Sequence, residues 1–148
     1  MNCIRKIENL ENCTNLRHLD LSHNEIRSCD GIANLPYLTN VILDGNFIMR
    51  PDNIWPLIEL PMLSTLNLLD NPLVVVGDTR LAIVFRFPRL AILNNEVVSP
   101  EEKISSINVY NPPRYVTEAI EHAEMAVDKI WRNPLSQSLQ RLIIDQNQ

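Results

Sequence analysis

One eleven-residue pattern, written three times, constrains this chain more than any other feature: LRHLDLSHNEI begins at Leu16, LTNVILDGNFI at Leu38 and LSTLNLLDNPL at Leu63. Each copy reads L-x-x-L-x-L-x-x-N-x-L, with Val41 standing in for one leucine. The starts lie 22 and 25 positions apart (38 − 16 and 63 − 38). A period of that length marks a repeat architecture, because one such copy cannot bury its own leucines and a neighbour must supply the other wall. Within the copies, Leu19 and Leu21, Val41 and Leu43, and Leu66 and Leu68 alternate with other residues at a period of two. That alternation predicts a short strand in each copy, and the strands are expected to stack in parallel along the solenoid.

Asn24, Asn46 and Asn71 follow the strands at one fixed position. Their amides are expected to bond backbone groups where the chain turns inward. The return segments are IRSCDGIANLP and the longer IMRPDNIWPLIELP. In the second, Asp52 or Asn53 is expected to cap a short helix through Ile54, Leu57 and Ile58. Trp55 is expected to be a partly buried filler on the convex side. Strand, asparagine and return segment together are identified as leucine-rich repeats. The fold this implies is α/β: a leucine-rich-repeat solenoid with a short parallel sheet on its concave side, a C-terminal cap and a helical tail.

At the start, Asn2-Cys3-Ile4 aligns with Asn24-Glu25-Ile26, and Leu10 aligns with Ile32, so the chain begins inside a repeat. An open repeat end exposes apolar surface and an unpaired strand edge. Two readings stand side by side: an upstream repeat of a longer protein covers this end, or a partner does. Downstream, Leu81, Val84 and Phe85 have helical spacing, Pro88 stops the helix, and Leu90 with Leu93 supplies a last strand. This stretch resembles the C-terminal cap of intracellular leucine-rich-repeat proteins of the protein-phosphatase-regulator (SDS22-like) class. Arg80, Ile83, Pro88, Leu90, Leu93, Val98, Glu102 and Lys103 occupy that cap's places. Thr79, Asn94 and Lys103 stand where the class has tyrosine, aspartate and arginine. The stretch PDNIWPLIELPMLSTLNLLDNPLV is also similar to repeats of ciliary and axonemal proteins, such as dynein-arm assembly factors. The spliceosomal U2 A′ protein has a similar cap. The resulting division is a repeat domain over 1–103, with a partial first repeat, three full repeats and the cap, and a helical tail over 104–148.

In the tail, Asn111-Pro112-Pro113 is a helix-start signal. Val116, Ile120, Ala123, Val127 and Ile130 then form an apolar stripe, with Glu118, Glu121, Glu124 and Asp128 on the other side. Asn133-Pro134 is expected to end this helix, and Leu135, Leu139, Leu142 and Ile143 suggest a second. The stripe has three candidate fates: packing back on the repeats, pairing with a copy of itself, or docking on a partner.

Composition removes several function classes. The net charge is −5, without the clustered cations that displace counterions from nucleic acid, so no direct nucleic-acid contact is expected. No apolar run approaches the roughly 20 residues that span a bilayer, so no membrane is expected. The opening MNCIRKIENLENC has no apolar signal core, and the three cysteines are odd in number, which points to reduced thiols and an intracellular, cytoplasmic location. Cys13 aligns with Leu35 and Cys29 with Ile7, so both are expected in the core, with Cys3 exposed. His18, His23 and His122 lack the spacing of metal ligands, and no metal is expected. With three glycines there is no phosphate loop, and no cofactor is expected. Asp20, Ser22 and His23 are close in sequence but belong to an open sheet face, whereas catalysis wants a dry, preorganised site. No catalytic residue is assigned, and the chain is not expected to be an enzyme.

Strand alternation presents the residues between the leucines. Three rows result: His18, Asn40, Thr65 and Ile92; Asp20, Ile42, Asn67 and Asn94; Ser22, Asp44, Leu69 and Glu96. Ile42, Leu69 and Ile92 are apolar where the fold does not require it, and Asp20 and Asp44 make the other half acidic. An apolar centre with a polar rim predicts a protein partner on the concave face. The expected function is a scaffold or adaptor in a larger assembly, in a cilium or axoneme by resemblance. The alternatives are a regulatory subunit holding an enzyme such as a phosphatase, and a subunit of a spliceosomal ribonucleoprotein.

Overall fold

The computed structural model describes residues 2–32 and 35–132. The chain forms two compact units that meet at Tyr110 and Asn111. In the first unit, β1 (His18–Asp20), β2 (Asn40–Ile42), β3 (Thr65–Asn67) and β4 (Ile92–Leu93) lie in chain order in one sheet. All three pairings are parallel, and the register sets His18 against Asn40, Asn40 against Thr65, and Thr65 against Ile92. That is the first row expected from the repeat alignment. The repeat forces it, because the strand holds the same place in every copy and the return segments of different length absorb the unequal spacing, so each leucine meets its counterpart. Leu38, Leu63 and Leu90 stack in one file, and Val41, Leu66 and Leu93 in the next, all buried. Leu16, Leu19 and Leu21, the counterparts on the edge strand β1, remain half-buried and pack against the core from one side only.

The asparagine ladder takes the expected form. Asn46 Oδ1 accepts from Ile26 N at 3.0 Å, and its amide donates to Leu21 O and Leu43 O, each at 2.9 Å. Asn24 and Asn71 repeat the arrangement, accepting from Ile4 N and Ile48 N. Each amide therefore serves backbone groups of its own turn and of the neighbouring repeat, which locks successive repeats together.

The long return segment forms the expected short helix, as a 3-10 helix over Pro51–Glu59; it buries Ile54 and Leu57 but, against expectation, leaves Ile58 exposed. A 3-10 helix has three residues per turn, so Ile54, Leu57 and the following buried Leu60 share one face. Its cap is Arg50, whose N–H donates to Asn53 Oδ1 at 3.0 Å, while Asp52 pairs with the Arg50 guanidinium. Trp55 is half-buried against the core, 6.2 Å from Phe87, with Arg86 over its ring.

The cap is closed by ions as well as by leucines. α1 (Gly77–Arg86) buries Ile83 and Val84, while Leu81 and Phe85 are half-buried. Arg80 Nε donates to Glu102 at 2.5 Å, its Nη1 lies 3.3 Å from the Glu96 carboxylate, and it reaches Leu93 O at 3.2 Å. Lys103 Nζ donates to Pro88 O. β5 (Glu96–Val97) turns back and pairs antiparallel with β4, which the sequence reading did not anticipate. α2 (Pro100–Tyr110) packs on α1, with Phe85 and Tyr110 rings stacked at 5.4 Å and Tyr110 OH donating to Asp78 O. These bonds carry the repeat unit to Tyr110, past the expected boundary at residue 103.

In the second unit, α3 runs Arg114–Trp131 and begins after Pro113, not after Asn111. Ile120, Val127 and Ile130 of its apolar stripe are exposed, and Val116 is half-buried. Asn133-Pro134 and the second tail helix lie outside the described residues.

The cysteines divide unexpectedly. Cys29 is buried, but Cys13 is exposed together with Cys3. Cys13 holds the core position of its repeat, but no described residue forms a wall over it. Burial pushes the Cys29 thiol up to about 12. Its thiolate fraction at pH 8 is then on the order of one in ten thousand, and the thiolate is the reactive form. A thiol reagent at pH 8 is therefore expected to add to Cys3 and Cys13 in the native protein and to Cys29 only in denaturant. Intact mass measures this, and rapid native modification of Cys29 contradicts it.

Candidate protein-binding face

The register aligns the presented residues of β1, β2 and β3, and Ile92 of β4, in the rows expected of them. The parallel ladder continues beyond the strands, with Leu21 N donating to Ile42 O, His23 N to Asp44 O and Gly45 N to Leu69 O. The second row pairs Asp20 with Ile42 and Ile42 with Asn67. His18 and Asp20 are exposed, and Ser22, Asn40, Ile42, Asp44, Thr65 and Ile92 are half-buried. Leu69 is 39% exposed, a large apolar side chain left open to solvent.

Three members of the rows are taken up by the fold instead. Asn67 is buried: its amide donates to Asn95 Oδ1 at 2.7 Å and its Oδ1 accepts from Asn95 N at 3.1 Å. Asn94 Oδ1 accepts from Leu68 N at 2.8 Å, the bond a ladder asparagine makes. Glu96 lies on the antiparallel β5 and faces Arg80 instead of extending the third row. The Asn94-Asn95 turn causes all three departures. Both residues have positive φ, so the chain reverses where a fourth regular repeat would have continued outward.

The polar half is ordered by its own bonds. Asp20 accepts from the Ser22 N–H and hydroxyl, and these bonds hold its carboxyl below the usual carboxylate range. Asp44 accepts from Leu69 N at 2.8 Å, yet burial dominates and raises its carboxyl. His23 has positive φ and lies against Gly45, where an added Cβ would come within 2.6 Å of its Nδ1. Gly45 thus has two demands on it, positive φ and the close ring. The Ser22 hydroxyl donates to Asp20 and not to His23, so the three are not arranged as a Ser-His-Asp relay. Among the described residues no group of three His, Cys, Asp or Glu converges to hold a metal, and no helix is long and apolar enough to cross a membrane.

Comparison with known proteins fits this geometry. The chain is 34% identical over 106 residues to bovine leucine-rich repeat-containing protein 23, covering 69% of this chain and 30% of that protein. It is 30% identical over 104 residues to a probable U2 small nuclear ribonucleoprotein A′ of Drosophila melanogaster, covering 69% and 39%. The chain thus spans about a third of the length of these curated relatives. Among solved structures, the Drosophila melanogaster SNF/U2A′ complex superposes with a TM-score of 0.70 at 23% identity, over 82% of this chain and 72% of that one, a likeness of fold. The leucine-rich-repeat family model matches residues 1–146, and with the stacked strands and the asparagine ladder in place, the chain belongs to the leucine-rich-repeat family.

Proposed function

We propose that this chain is a non-catalytic protein-binding module, an adaptor or scaffold subunit that holds a protein partner on its concave face. One observation carries the reading: Ile42, Leu69 and Ile92 are solvent-accessible at positions where other repeats carry polar residues. Ile42 answers to Asp20, Leu69 to Ser22 and Asp44, and Ile92 to His18, Asn40 and Thr65. The fold is therefore served by polar residues there, and the apolar ones are left for a partner. His18, Asp20, Ser22 and Asp44 form the polar rim. The free thiols of Cys3, Cys13 and Cys29 are in keeping with an intracellular setting.

For the larger assembly, the names of the relatives favour a ribonucleoprotein: a U2 small nuclear ribonucleoprotein A′ stands among the sequence relatives, and the solved neighbour is an SNF/U2A′ complex. In that setting the acidic chain contacts a protein, not RNA. A ciliary or axonemal scaffold and a phosphatase-type regulatory subunit of the SDS22-like class are the other assemblies the sequence pattern suggests. Affinity purification of the tagged chain from cells, with quantitative mass spectrometry, separates splicing proteins, axonemal proteins and a phosphatase catalytic subunit. Leu69→Asp and Ile42→Asp are expected to deplete the main partner about thirtyfold, because a charge in a desolvated contact costs about 2 kcal/mol or more. Full retention by both variants, with circular dichroism unchanged, contradicts a concave site.

A further inference from the structure

The face beside the concave sheet, where the chain leaves each ladder asparagine, carries a second contrast between repeats. There Glu25 N donates to Ile4 O, Phe47 N to Ile26 O and Leu73 N to Ile48 O, so these segments stack in register. Ile26, Ile48 and Leu73 point inward and are buried. Alternation turns the residues on either side of them outward. In the first repeats these outward residues are Arg5, Glu25 and Arg27, but in the next they are Phe47, Met49 and Val74. Phe47 is 46%, Met49 62% and Val74 63% exposed. Equivalent positions are charged elsewhere on the same face, so the fold has no need of apolar side chains there.

The charge on this face is specific too. The Arg5 guanidinium is engaged by Glu25 and that of Arg50 by Asp52. Arg27 has no carboxylate within ion-pair distance among the described residues, and its guanidinium is stacked 5.7 Å from the centre of the Phe47 ring. A guanidinium over a ring face still has N–H donors free for a carboxylate. Arg27 also lines a cavity of about 780 Å³ that continues toward the first repeat, where the cations Arg5 and Lys6 stand beside Glu8, Glu25 and Asp30.

We propose that this flank is a second docking strip, independent of the concave face, for an acidic amphipathic segment of a partner protein. The segment's apolar side chains cover Phe47, Met49 and Val74, and its carboxylate pairs with the Arg27 guanidinium. Apolar cover lowers the dielectric around that pair and strengthens it.

A random peptide library displayed on phage and selected on the full chain tests this. Enriched peptides are expected to carry Asp or Glu next to apolar residues. Fluorescence anisotropy of the synthesised peptides is expected to show about tenfold weaker binding to Arg27→Glu and to Met49→Asp. The concave variant Ile42→Asp is expected to bind them as the parent does, which separates this proposal from the concave reading. The variant positions are exposed, and circular dichroism checks that each fold is kept. Enriched peptides without acidic residues, peptides bound equally by the parent, Arg27→Glu and Met49→Asp, or peptides lost on Ile42→Asp would each overturn the proposal.

Discussion

Leu43→Asp is expected to unfold the repeat domain, whereas Leu69→Asp, in the next repeat, leaves it folded. Leu43 is fully buried, in one file between Leu21 and Leu68, and Leu69 is open to solvent. An aspartate at 43 loses leucine packing worth about 2–5 kcal/mol. It also places a carboxylate without a cation in the core, at a cost of several kcal/mol. The sum rivals the whole stability of a domain, about 5–15 kcal/mol. The expected result is loss of the cooperative thermal transition by circular dichroism for Leu43→Asp, and a transition near the parent's for Leu69→Asp. A folded Leu43→Asp would mean that the repeats tolerate a gap in their central file, contrary to the stacking described above.

Asn46→Ala is expected to cost about 3 kcal/mol or more, which is large for the loss of one small polar side chain. Asn46 is buried and serves Ile26 N, Leu21 O, Leu43 O and Asp44 O at once. An orphaned buried backbone group costs about 1–3 kcal/mol. Ile26 N is the critical loss, since Leu43 O keeps the Asn71 amide at 2.8 Å. Urea unfolding measures the effect as a lower midpoint with unchanged slope. A loss below about 1 kcal/mol would show that the ladder is decorative and that leucine packing alone sets the repeat spacing.

The legible part of this fold was the part governed by period. Strand position, parallel pairing, the stacking of Leu19, Val41, Leu66 and Leu93, and the row of His18, Asn40, Thr65 and Ile92 all follow from the strand holding the same place in each copy. What spacing does not govern was missed. Nothing in the alternation of β3 marks Asn67 for burial; its cover comes from Asn95, which reaches it across a turn built from two positive-φ residues. β5 is too short to show a period of its own. Cys13 looked like core because its counterpart Leu35 is core, but burial depends on the neighbouring wall as well as on repeat position. The 3-10 helix did leave a signal: Ile54, Leu57 and Leu60 recur every third residue. The flank of Phe47, Met49 and Val74 was legible by the comparison that singled out Ile42, Leu69 and Ile92, had it been applied to the residues after the asparagines.

The central claim is that the concave face holds a protein partner, and site-specific photo-cross-linking in cells tests it most directly. A photoreactive amino acid at Thr65, in the first presented row of β3, places the probe at the middle of the face; the same residue at Glu59, at the end of the 3-10 helix, places it on the convex side. Each adduct is identified by mass spectrometry. The account predicts one dominant protein adduct from position 65 that is lost on adding Leu69→Asp, and none of that protein from position 59. Capture of the partner from position 59, with none from position 65, would contradict it.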